Sequence, residues 1–144
     1  MGYTVQIVQD CAAPHTQADW WAETLEWEVE PSNPEFIQSM IDQGHAKNTD
    51  VEEHHGNLVW KSGAAISDPT SYGSPRILFQ KVPEPKTVKN RMHIDVHVGR
   101  GELDHARATL EARGATYLHT ASQGPHVWIT MADLEGNEFC VTER

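Results

Sequence analysis

One plan of alternation and periodicity occurs twice along this chain, and that duplication narrows the reachable folds more than any other feature. The second copy is the clearer. Met92–Val98, MHIDVHV, alternates apolar Met92, Ile94, Val96 and Val98 with polar His93, Asp95 and His97. A period of two marks a strand with one buried face. A helix is expected over about Glu102–Arg113, with Leu103, Ala106 and Leu110 as its apolar stripe and Gly114 closing it. Ala115–His119 reads as a short strand. His126–Met131 and Glu138–Thr142 read as a hairpin across DLEGN, where Gly136 and Asn137 tolerate a positive φ.

The first copy follows the same order. Tyr3–Asp10 alternates as a strand. Pro14 suits the first turn of a helix, and Ala18, Trp21, Ala22 and Leu25 fall on one face of it. Trp27–Glu30, Asn57–Ser62 and Arg76–Val82 read as the three strands that complete the copy. Each copy is therefore strand–helix–strand–strand–strand, an α+β pattern. VPEPKTVKN, rich in Pro and Lys, marks the junction and sets the modules at residues 1–83 and 84–144. The first module is longer by an insertion at about 31–56, with a short helix at Glu35–Ile41. Such an insertion serves as a lid or binding loop, or else as a surface excursion or dimer contact. VEEHHG, which holds His54 and His55, reads as a solvated loop.

Composition removes several classes of function. A net charge of −10 repels phosphate backbones, so nucleic acid is not an expected partner. No apolar run reaches membrane-span length, and MGYTVQIVQD goes directly into an alternating strand without a basic, then apolar, leader. Cys11 and Cys140 are too few for a disulfide framework, which points to a reducing cytoplasm. No nucleophile-elbow, P-loop or dinucleotide motif is present. The five tryptophans serve as core fillers or pocket walls.

Three stretches, Phe79–Val98, Gln9–Glu30 and VWITMADLEGNEFCV (Val127–Val141), together resemble the glyoxalase-like proteins of the vicinal oxygen chelate superfamily. That superfamily also holds glyoxalase I, bleomycin-resistance proteins and extradiol dioxygenases. DLEGNEFCV and KNRMHID are similar to a bacterial branch of it. The resemblance implies two βαβββ modules whose mixed sheets curl around a shared cleft, helices outside. It implies four metal ligands from equivalent strand positions, here Gln6, Gln80, His93 and Cys140, around a divalent Zn, Ni, Fe or Mn. The last position carries a thiol where metal-dependent members usually keep a glutamate. The implied function is a glyoxalase- or dioxygenase-like enzyme acting on a small organic substrate in that cleft, by metal-assisted lyase or isomerase chemistry. The alternative is a non-catalytic protein that sequesters a drug or metabolite, as the bleomycin-resistance branch does. A homodimer is expected by the same analogy.

The residues themselves leave several roles open. His93 suits a metal ligand, a general base, or a cleft histidine hydrogen-bonded to Asp95 or a tyrosine. Asp95 orients an imidazole or pairs with Arg91 or Lys89. His97, two residues along the same face, extends a His-x-Asp-x-His strip. Cys140 suits a nucleophile, a soft ligand or a small buried side chain. Glu138, two before Cys140, offers a carboxylate on the same face. Trp60 and Trp128, each read as lying on the strand before its module's closing one, offer flat apolar walls for a ligand.

Overall fold

Ile7 and Ile77 begin the pairing of the first sheet. The computed structural model describes residues 2–71 and 73–144. Two units divide the chain, Met1–Pro85 and Lys86–Arg144. The first contains β1 (Ile7–Cys11), α1 (Pro14–Leu25), β2 (Glu28–Val29), α2 (Pro34–Asp42), a 3-10 turn at Asn48–Asp50, β3 (Val51–His54), β4 (Asn57–Trp60), β5 (Gly63–Ser67) and β6 (Ile77–Lys81). Its sheet runs β1-β6-β5-β2, with β1 parallel to β6 and the other pairs antiparallel. The second contains β7 (Asp95–Val98), α3 (Leu103–Ala112), β8 (Thr116–Gln123), β9 (His126–Ala132) and β10 (Glu138–Glu143). Its sheet runs β7-β10-β9-β8 with the same sequence of parallel and antiparallel pairs. The expected α+β class and the paired βαβββ modules are what the protein has.

Local chemistry explains the helices. Pro14 opens α1, where the missing N–H has no helical partner to lose. Ala18, Trp21 and Ala22 are buried as expected, joined by Gln17 and Trp20, and α1 packs on β5 and β6. Fully burying a side chain such as Phe79 or Phe139 contributes about 1.5–3 kcal/mol. In the second unit α3 lies against β10, β8 and β9, and Arg107 stacks its guanidinium 3.5 Å from the Tyr117 ring centroid. Gly114 follows α3 at φ 102, where an added Cβ would meet Leu134 Cδ2 at 2.7 Å.

Four expectations are corrected. Both opening strands start later than their alternation suggests, β1 at Ile7 and β7 at Asp95. Tyr3, Val5 and Met92 are exposed and lie outside the strands of the described residues, without a ladder to hold them. Asn57–Trp60 is not the strand before the closing one. It pairs with β3 as a separate hairpin, and the short GAAIS strand β5 takes that place. VEEHHG is that hairpin rather than a loop, turning at His55 (φ 50) and Gly56 (φ 79). Consequently Trp60 is no counterpart of Trp128.

The strand ends set the two sheets in correspondence. Val82 N donates to Cys11 O in the first, and Arg144 N donates to Val98 O in the second, both at 2.9 Å. Cys11 thus corresponds to Val98, and counting back along both registers matches Gln6 with His93 and Val8 with Asp95. Along the closing strands Leu78 matches Cys140 and Gln80 matches Thr142. The expected equivalence of Gln80 with Cys140 is therefore two residues out of register.

Candidate functional site

Parity divides the second sheet into two faces. Val141, Phe139, Ile129 and Met131 are buried on one. The other carries cross-strand rows of polar side chains. One row is Asp95, Cys140, Thr130 and His119, and the next is His97, Thr142, Trp128 and Ala121.

His93 enters just ahead of β7 and joins the first row. Its Nε2 lies 3.4 Å from Asp95 Oδ1, and both side chains are substantially solvent-exposed. This is the orienting arrangement; among the described residues the ion pair of Asp95 is with His93 rather than with Arg91 or Lys89. Cys140 is half-buried, with Sγ 3.5 Å from Thr130 Oγ1. Donor atoms of His93, Asp95 and Cys140 all lie within 4.8 Å of one another. One imidazole nitrogen, one carboxylate and one sulfur at that spread form a three-donor set of the kind that holds a divalent ion.

Glu138 is differently employed. Lys86 Nζ donates to Oε1 and Asn90 N donates to Oε2, each at 3.0 Å. Burial pushes this carboxyl up, but the Asn90 amide and the Lys86 ammonium outweigh it and hold the group below its ordinary value. Asn90 Nδ2 also donates to Asn137 Oδ1 at 2.8 Å. Glu138 therefore fastens the segment that delivers His93, and within the KNR run Asn90 makes the anchoring bonds.

His97 is exposed one row along and stands outside the three-donor group. Trp128 is half-buried with its ring 5.7 Å from that of His126. His126 Nε2 lies 3.3 Å from Thr142 Oγ1, which in turn donates to Val127 O at 3.2 Å. Thr142 and Thr130 are buried polar groups. The sequence carried a signal for Thr142, two positions from Cys140, that parity alone would have supplied.

The first-module half of the expected ligand quartet is not brought together. Gln6 Oε1 accepts from Arg76 at 2.9 Å, and Arg76 also pairs with Glu30. Gln80 lies beside Asp10, four residues beyond Gln6. At strand spacing that is about 13 Å along the sheet. Cys11 is buried, with Sγ 3.5 Å from Gln80 O. Trp60 sits on the hairpin, its carbonyl accepting from His15.

The glyoxalase-like domain family matches residues 6–142. Among solved structures, a point mutant of the fosfomycin resistance protein FosX from Listeria monocytogenes, complexed with Mn(II) and 1S,2S-dihydroxypropylphosphonic acid, superposes with a TM-score of 0.64 at 10% identity, covering 99% of this chain and 92% of that one. FosX from Mesorhizobium loti gives 0.62 at 7% identity, covering 99% and 91%. The oxidase ChaP-H2 gives 0.57 at 14% identity, covering 99% and 95%. No curated protein matches the sequence. At these identities the structural likenesses speak for the fold.

Proposed function

The chain belongs to the glyoxalase-like domain family, within the vicinal oxygen chelate superfamily, and from that premise we propose that it acts on a small organic molecule at the polar face of β7, β10 and β9. The observation that carries this reading is the convergence of His93, Asp95 and Cys140 donors within 4.8 Å. Imidazole, carboxylate and thiolate suit a borderline divalent ion such as Zn, Ni or Fe better than the harder Mn. His93, Asp95 and Cys140 would hold it, and when bound it supplies Lewis-acid polarisation of substrate oxygens.

The chain's own residues do the rest. Asp95 lies beside the His93 ring and would bring the negative charge of the donor set to the ion. Thr130 positions the Cys140 sulfur. His97, about 7 Å further along the strand, is an exposed imidazole that takes or returns a proton at the substrate. The Trp128 indole, with the His126 ring tilted beside it, offers an aromatic surface that orients an apolar part of the ligand. Lyase or isomerase chemistry on a substrate with adjacent oxygens is the class this arrangement serves, in a cytoplasmic homodimer.

The test is metal content together with ligand-induced thermal shift in the intact chain and in His93→Ala. A metal equivalent lost with His93→Ala, and ligand stabilisation that requires it, are expected. Metal uptake and ligand stabilisation indifferent to His93 would contradict the reading. The Trp128–His126 pair favours a second reading, a binder that sequesters a flat drug or metabolite. Ligand binding to metal-free protein without turnover would select it.

A further inference from the structure

A second cluster lies in the first module, where α1 meets the β3–β4 hairpin that the second module lacks. Asp19 is on α1, and His54 and His55 are at the tip of the β3–β4 hairpin. Both imidazoles turn Nε2 to the same atom: His54 Nε2 and His55 Nε2 each lie 2.7 Å from Asp19 Oδ2. The two rings stand 4.0 Å apart between centroids. Donor atoms of all three residues fall within 4.8 Å of one another.

The surroundings hold this convergence in place. His15, one turn before Asp19 on α1, donates from Nε2 to Trp60 O at 2.8 Å and places its ring 5.1 Å from that of His54. The hairpin is thereby tied to the helix beside the cluster. His55 takes φ 50, a left-handed conformation that a two-residue hairpin turn requires and that Asn or Gly adopts more easily. His55 is widely exposed, whereas His54 is mostly covered.

We propose that Asp19, His54 and His55 form a second divalent-cation site, independent of the one on β7 and β10, for a borderline ion of the zinc class. Two imidazole nitrogens and a carboxylate oxygen are a donor set that such ions take, with the fourth position left to water or an exogenous ligand. In a tetrahedral site donors lie about 3.3 Å apart. Each nitrogen therefore has to back away from Oδ2 by about half an ångström, within the freedom of an exposed turn. On binding, each neutral ring moves its proton from Nε2 to Nδ1 and offers the Nε2 lone pair to the ion, so protons balance without release. The ion then clips the excursion between β2 and β5 to α1.

The probe is Zn(II) itself, added to the full-length chain carrying Cys140→Ser so that the other cluster is weakened. Imidazole nitrogen NMR and metal content after dialysis are the readouts. One equivalent retained, with the His54 and His55 Nε2 resonances shifted, is expected. Asp19→Asn, close in shape, and His55→Asn, which keeps the turn's preference, should each weaken binding by on the order of 10- to 100-fold. His54 and His55 resonances unmoved by Zn(II) overturn the proposal without need of any variant. So does undiminished affinity in either folded variant. Because Cys140 is already removed, failure here is distinguishable from failure of the site on β7 and β10.

Discussion

The two sheets share strand order, strand sense and closing hydrogen bonds, yet at matched positions they carry different chemistry. Where the second has His93, Asp95, Cys140 and Thr130, the first has Gln6, Val8, Leu78 and Ala65. Where the second has His97, Thr142 and Trp128, the first has Asp10, Gln80 and Gly63. Only the outermost row keeps a common device, an ion pair of reversed polarity: Arg76 with Glu30 in the first, Glu138 with Lys86 in the second. Duplication preserved the scaffold, while the clustered His, Asp and Cys donors found on a sheet face among the described residues lie in the second copy.

That contrast implies graded outcomes. The buried faces should behave alike: Phe79→Ala and Phe139→Ala each cost about 3–5 kcal/mol, read from denaturant midpoints. A cost concentrated in one sheet would break the equivalence. The polar faces should not behave alike. His93→Ala lowers affinity for a metal held with Cys140 by on the order of 100-fold, whereas Gln6→Ala leaves it unchanged.

The outermost row separates the sheets more mildly. Glu138→Gln should cost about 1–2 kcal/mol, since both oxygens accept bonds in a covered position. Glu30→Gln, in a pair over a third exposed, should cost about 0–1. The Glu138 carboxyl is held below its ordinary 4.5, so its contribution is full above that pH and fades as pH falls through the lowered folded value. Thermal melts from neutral pH downward should show this loss in the parent and a flatter profile in Glu138→Gln. Comparably small is the difference between helix ends. Glu26 closes α1 at φ 56 where Gly114 follows α3, so Glu26→Gly should stabilise by about 0.5–1 kcal/mol.

How much of this was legible in the sequence follows from what alternation can encode. A slip of one residue turns every side chain to the wrong face, so the faces of His93, Cys140, Gln6 and Gln80 were readable. A slip of two leaves every face unchanged, and that is the error that paired Gln80 with Cys140. Only the hydrogen bonds at the strand ends, Val82 to Cys11 and Arg144 to Val98, fix the count. Gly63, Ala64 and Ala65 gave β5 too little strand character to be seen, and the bulkier Asn57–Trp60 took its place. The meeting of Asp19 with His54 and His55 joins residues 35 and 36 apart, a long-range contact that local pattern does not carry.

The proposed sheet-face metal chemistry belongs to the second module and not to the first. Cobalt(II) titration of the full chain tests it most directly, because a cysteine thiolate bound to cobalt gives a ligand-to-metal absorption band that imidazole and carboxylate ligands do not. This band should rise to one equivalent, vanish in Cys140→Ser, weaken sharply in His93→Ala and persist in Gln6→Ala and Gln80→Ala. A band absent from the parent, or one abolished by the first-module substitutions, would contradict it.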